Sequence, residues 1–225
     1  MIPGLLASAR LYAAQIPALW QCGPVMVADH TRDDSMAAIA ARILAAAPAT
    51  FALAGLSMGG YVCFEILRQA PQRVARLALL DTSPRPDTPE QTAGRRAQIA
   101  LASQGRFQEV LDGQLPRLLW RAHREDPALR AVLEQMAQEV GVAAFIRQQT
   151  AIMGRADSRP TLATVRCPTL VLVGEDDELT PPERAAEMAG GIVGARLVKV
   201  AQCGHVSTLE QPAAVTRALL EWLRA

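Results

Sequence analysis

An α/β fold built on a mostly parallel, doubly wound sheet is predicted by three observations. Short continuous apolar runs at residues 24–29, 51–55, 74–80 and 169–173 lack a polar/apolar alternation, as expected of strands buried on both faces. Amphipathic segments separate them, and strand–helix alternation of this kind demands parallel pairing, right-handed crossovers and helices on both faces of the sheet. Between the second run and its helix lies Gly55-Leu56-Ser57-Met58-Gly59, a strand–turn–helix junction that lifts one serine to a helix N-terminus.

Residues 1–6 are a short apolar start around Pro3-Gly4, and residues 8–20 space Leu11, Ile16, Leu19 and Trp20 in a helical pattern. The run at 24–29 ends on Asp29 and reads as a strand. Asp34 or Ser35 is placed to cap a helix over 36–46, stopped by Pro48. The strand opening at Phe51, a helix over 61–69 and a strand over 74–80 that ends at Asp81 follow. From Ser83 to Pro160 the alternation breaks. Pro84, Pro86 and Pro89 open this segment, and helices are expected over 91–103, 107–111, 115–124, 127–140 and 143–153, without a strand. The predicted organisation is a core of residues 1–83 and 161–225, with a helical cap of residues 84–160 inserted over the sheet edge. The α/β pattern resumes with a strand over 169–173, the acidic turn Gly174-Glu175-Asp176-Asp177, a helix start at Pro181-Pro182, a strand over 196–201, the turn Cys203-Gly204-His205 and a final helix over 212–223.

At 225 residues, 50% apolar and 20% charged, the chain has the length and composition of one soluble α/β domain with an insertion. Its 23 basic and 22 acidic residues are scattered and nearly cancel, so there is no field for nucleic acid or an anionic membrane; the expected partner is a small molecule. No apolar run reaches the roughly 18 residues of a membrane span. Ala7-Ser8-Ala9 resembles a signal-cleavage site, but no basic region precedes it, and a cytoplasmic location is expected. Cys22, Cys63, Cys167 and Cys203 have neither metal-ligand spacing nor the density of a disulfide scaffold. Nothing in the sequence sets an oligomeric state.

A serine hydroxyl is a poor nucleophile until a base takes its proton, and the base needs a third group to hold its tautomer. Of the three histidines, His30 follows the first apolar run, and His123 lies in the helical segment between Arg121 and Arg124. Only His205 follows the last strand, on the carboxyl edge of the sheet, where ligands of such folds bind and where Ser57 lies. The acid is expected beyond another strand end on that edge. Asp177 is favoured, with Asp176 as fallback and Asp81 third. Glu210 is assigned to the first turn of the last helix. Arg106, Arg117, Arg121 and Arg124, and the apolar Phe107, Leu118, Trp120, Met136 and Met153, are read as surface and core.

Gly-Leu-Ser-Met-Gly-Gly, the stretch from Gly174 to Pro181 and the stretch from Cys203 to Pro212 together resemble the α/β-hydrolase superfamily, in particular its esterase and enol-lactonase members. The nucleophile–acid–base order is the same, and the resemblance covers most of the chain. It implies a triad of Ser57, Asp177 and His205, with Gly-x-x-Asp pointing to Asp177. It implies an oxyanion hole made by the amides of Met58 and, from a loop in which Pro3 replaces the usual histidine, Leu5. The activity implied is hydrolysis of a small carboxylic ester or lactone, with no metal or organic cofactor. A carbon–carbon hydrolase, a thioesterase or a perhydrolase would reuse the same residues; a non-catalytic small-molecule-binding protein is the reading from another class.

The resemblance also implies a strand leading into Pro3-Gly4, between the run at 24–29 and the strand ending at Ser57. Only Met1 and Ile2 precede Pro3, and two residues do not make a strand of the usual five or six. The expectation is a protein that starts at least roughly 8 to 10 residues earlier, enough for one strand and a leader. For the chain as it stands, either a gap in the sheet or direct pairing of two strands normally held apart is expected, with a poorly fixed Leu5 amide.

Overall fold

The apolar runs at 51–55, 74–80 and 169–173 fold as parallel strands, because each is followed by a helix that must return the chain to the starting edge. The computed structural model describes residues 1–224. Its elements are, in order, α1 (Ile16–Leu19), α2 (Met36–Ala46), β1 (Phe51–Leu56), α3 (Met58–Gln69), β2 (Val74–Leu80), α4 (Pro89–Ser103), α5 (Phe107–Leu118), α6 (Pro127–Met153), α7 (Arg159–Leu162), β3 (Thr169–Gly174), α8 (Pro182–Gly191), β4 (Arg196–Val200), α9 (Ser207–Glu210) and α10 (Pro212–Arg224). The sheet order is β1-β2-β3-β4, with every neighbouring pair parallel.

Successive residues of β2 divide between two faces, as the period of a strand requires. Leu77 and Leu79 pack with Ile39 of α2, Phe64 of α3 and Met188 of α8; Ala78 and Leu80 pack with Leu11, Tyr12, and Leu219 and Trp222 of α10. The sheet is therefore doubly wound. Leu77, Leu79 and Leu80 are fully buried, each contributing about 1.5–3 kcal/mol relative to exposure.

Beyond β1 the sheet departs from expectation. Residues 24–29 are extended but form no regular strand. Their only backbone bonds to the N-terminal segment among the described residues are Ala28 N–H to Met1 O at 2.9 Å and the Met1 amino group to Met26 O at 2.7 Å. Ile2 also bonds the other way, its N–H to Ala54 O at 2.8 Å and its carbonyl from Leu56 N–H at 3.2 Å, as a parallel bridge to Gly55. Neither the expected gap nor the direct pairing occurs at this height: Ile2 stands between the two segments.

The helix expected over 8–20 is also broken, into a 3-10 turn (Ala9–Tyr12) and α1. Pro17 has no N–H to bond Ala13, so a helix can start there but not run through. From Pro89 to Met153 the structure is helical. Thr88 and Gln91 form a capping box on α4, and Asp126 caps α6. Gly141 (φ 75°) breaks the path of α6 between the two helices expected there. The helix expected over 115–124 instead stops at Leu118, as the end of α5, because tertiary bonds claim its continuation: Leu118 O accepts the His205 N–H at 2.8 Å, and the Trp120 N–H donates to Glu210 Oε2 at 2.7 Å. Among the described residues no helix is long and apolar enough to cross a membrane.

Candidate active site

Ser57 sits between β1 and α3 with φ 56° and ψ −117°, a backbone conformation rare for a residue with a Cβ. The surroundings enforce it. A Cβ on Gly55 would collide with the Gly59 carbonyl, and one on Gly59 with the Ile2 carbonyl, so only glycine permits both approaches. The Ser57 carbonyl accepts Gly60 N–H at 2.9 Å and Thr82 Oγ1–H at 2.7 Å, while its own N–H donates to Leu80 O at 3.0 Å. Gly59→Ala is accordingly expected to destabilise the fold by about 1–3 kcal/mol or more through overpacking against backbone, measurable as a lowered Tm by calorimetry.

The three strand ends converge. His205 Nε2 lies 2.8 Å from Ser57 Oγ, and His205 Nδ1 lies 2.8 Å from Asp177 Oδ2 and 3.0 Å from Oδ1. His205 and Asp177 are each only 2% exposed, while Ser57 is partly open to solvent. Asp177 Oδ1 also accepts the amides of Leu179 and Thr180, both at 2.9 Å, and Oδ2 accepts Thr180 Oγ1–H at 2.8 Å. It therefore caps its own turn and faces the histidine at once. Asp176 is exposed, and its N–H ties to Cys203 O at 2.9 Å. Asp81 makes no hydrogen bond to His205 among the described residues.

Burial works against a charged His205, but the charge of Asp177 and its hydrogen bond, aided by Asp81 and Glu210, outweigh it and hold the imidazole above its ordinary pKa. Burial likewise works against the Asp177 carboxylate, and the His205 charge and hydrogen bond, with those from Thr180, hold it below the usual carboxylate range. The pair is arranged to stabilise an imidazolium facing Ser57.

The sequence singles out the amides of Met58 and Leu5. Met58 is the first residue of α3, and the Pro3-Gly4 loop passes so close that a Cβ on Gly4 would lie 3.3 Å from Ser57 Cβ. Among the described residues neither the Met58 nor the Leu5 N–H donates to a protein acceptor. The expected looseness of the Leu5 loop is not found. Tyr12 Oη donates to Ile2 O at 2.7 Å, His30 Nε2 lies 2.9 Å from Gly4 O, and Gln148 Oε1 accepts Leu6 N–H at 3.1 Å. Burial holds His30 below its ordinary pKa, and its Nε2 also lies 3.1 Å from Gln148 Nε2, which joins the two anchors. These three bonds anchor the Pro3-Gly4 loop from three different parts of the chain.

Glu210 is the clearest correction among the polar residues. Rather than serving the start of α10, its buried carboxylate accepts Gly204 N–H at 2.8 Å and Trp120 N–H at 2.7 Å and lies 3.0 Å from His123 Nδ1. It fixes the turn before His205 to residues 120–123. Its only sequence signal was an acidic residue five positions after a histidine turn. Of the arginines considered, Arg106 pairs with Glu109 on the surface, and Arg124 pairs with Glu178.

Among solved structures, the fold is similar to a thermophilic esterase from Thermogutta terrifontis (malate bound), at 30% identity and TM-score 0.89 over 99% of this chain and 88% of that one. It also resembles an enol-lactonase from Burkholderia xenovorans, at 23% identity and TM-score 0.87 over 100% and 90%, a likeness of fold alone. Among curated proteins it is 26% identical over 99% of its length, and 86% of the other's, to a pimeloyl-[acyl-carrier protein] methyl ester esterase of Edwardsiella ictaluri. A family model described as the alpha/beta hydrolase family matches residues 3–218, and the chain belongs to that family.

Proposed function

We propose that the protein is a serine hydrolase that cleaves a small carboxylic ester or lactone through an acyl-enzyme. The observation that carries this reading is the line Ser57 Oγ–His205 Nε2, His205 Nδ1–Asp177, at 2.8 Å in each step, on the carboxyl edge of the sheet. His205 takes the Ser57 proton as Oγ attacks the carbonyl carbon, and Asp177 stabilises the resulting imidazolium. The negative charge that develops on the carbonyl oxygen is met by the Met58 and Leu5 amides. His205 then protonates the leaving alcohol, and water, deprotonated by the same imidazole, releases the acid. The helices between Ser83 and Pro160 act as a cap that bounds the acyl and alcohol groups. Relatives named as esterases support the choice of an ester.

A panel of short-chain acyl esters and lactones, given to protein shown to be folded, tests the reading. Saturable turnover of at least one carboxylic ester, lost in Ser57→Ala, is expected; a folded protein inert to the whole panel would contradict it.

The pH dependence follows from the charge on His205. Only the neutral imidazole can accept the proton, and its pKa is raised, so turnover is lost as pH falls through a midpoint above 6.5. Rates measured from pH 5 to 8 on folded protein should therefore still be rising at neutral pH. A plateau already reached by pH 6 would contradict this electrostatic assignment.

A further inference from the structure

We propose that Asp81 is a positioning residue for the proton relay, its buried carboxyl group tying the loop that carries Asp177 to the loop that carries His205. The inference rests on the serine-hydrolase reading above. Asp81 lies at the carboxyl end of β2, fully buried, and touches neither Ser57 nor the His205 ring through a hydrogen bond among the described residues. Its Oδ1 accepts Gly174 N–H at 3.0 Å. Its Oδ2 accepts Ser207 N–H at 3.3 Å and lies 2.5 Å from Ser207 Oγ.

Both ends of this bridge are short levers. Gly174 ends β3, and its carbonyl accepts the Asp177 N–H at 3.2 Å; Ser207 starts α9, two residues after His205. A shift of either end moves one partner of the Asp177–His205 pair relative to the other. Asp81 itself is held at φ 43°, in the left-handed region that aspartate enters more readily than most residues with a Cβ, with its N–H bonded to Leu172 O at 2.9 Å.

The bridge also carries a proton. Burial, and then the charge of Asp177, push the Asp81 carboxyl up to about 8, against the opposing effects of His205, Ser207 and Gly174. The titratable groups facing it are Asp177 from the β3 loop, His205 and Cys203 from the β4 loop, and Tyr12 from the N-terminal turn. The Cys203 thiol and the Tyr12 hydroxyl are both pushed up by burial and stay neutral, which leaves Asp177 and His205 as the charges that matter. While ionised, the Asp81 carboxylate accepts from Ser207 Oγ–H; when protonated, the carboxyl can donate to that oxygen. On ionisation the hydroxyl donates instead, so the bridge persists and a negative charge appears near His205. That charge makes the imidazole more basic and favours the imidazolium.

The test compares kcat and KM for p-nitrophenyl acetate from pH 6 to 9.5 in wild type, Asp81→Asn and Asp81→Ala, with Ser57→Ala as control. Asn keeps an acceptor for Gly174 N–H and a donor for Ser207 Oγ, and gives up only the acceptor for Ser207 N–H, the longest of the three bonds. Asp81→Asn is expected to stay within about five-fold of wild type at pH 7 with KM nearly unchanged, and to lack the alkaline step in kcat expected of the wild type as Asp81 ionises. Asp81→Ala is expected to lose about 10- to 100-fold in kcat with KM nearly unchanged, the scale of a small misplacement of reacting groups. An Asp81→Ala protein that melts and turns over as the wild type does would overturn the proposal. So would an Asp81→Asn profile that keeps the alkaline step, a result obtainable even if the alanine variant fails to fold. Hydrolysis that survives Ser57→Ala would instead sink the serine-hydrolase reading on its own.

Discussion

Ser57→Ala is expected to lower turnover of an activated ester by about 10⁴- to 10⁶-fold, since members of a relay act as a unit and removal of the nucleophile leaves only binding and the oxyanion donors. Stability should change little, because the bonds that hold the elbow run through the Ser57 backbone to Leu80, Gly60 and Thr82. The check is an initial-rate assay beside a melting curve. A rate within ten-fold of wild type, in a protein with the same Tm, would remove Ser57 from the mechanism.

The second large effect separates two adjacent carboxylates. Asp177→Asn is expected to cost about 10⁴-fold in kcat, because an amide facing Nδ1 favours the wrong tautomer and no longer stabilises the imidazolium. Asp176→Asn should stay within about two-fold of wild type, the ordinary result for an exposed side chain with no partner in the site. The two single variants, assayed together with kcat and KM resolved, make the comparison. Equal and mild losses in both would contradict the assignment of Asp177.

Much of this architecture was legible because its signals are local. Val74–Leu80 is apolar throughout, as a strand buried on both faces must be, and Met36–Ala46 lies between a capping Ser35 and Pro48. Ser57, Asp177 and His205 could be brought together on paper because each closes a strand at the same edge of a parallel sheet. Other features depend on what lies across the molecule. Residues 24–29 have a strand's composition, yet whether they join a ladder is decided by Met1 and Ile2, not by their own side chains. The break after Leu118 comes from Glu210 and His205, some ninety positions away. His30 and Gln148 hold the Pro3-Gly4 loop through a carbonyl and an amide that no spacing rule connects to them. Asp81 is legible as a strand-end carboxylate, but its pairing with Gly174 and Ser207 rather than with the histidine depends on loops far away in sequence.

The central claim is that Ser57 is an activated nucleophile held by His205 and Asp177, and covalent trapping tests it most directly. Folded protein incubated with a fluorophosphonate and examined by intact mass, followed by peptide mapping, should carry one phosphonyl group on Ser57. Labelling should disappear in Ser57→Ala and slow greatly in Asp177→Asn. Absence of labelling in folded wild-type protein, or a label on any other residue that persists in Ser57→Ala, would contradict the account.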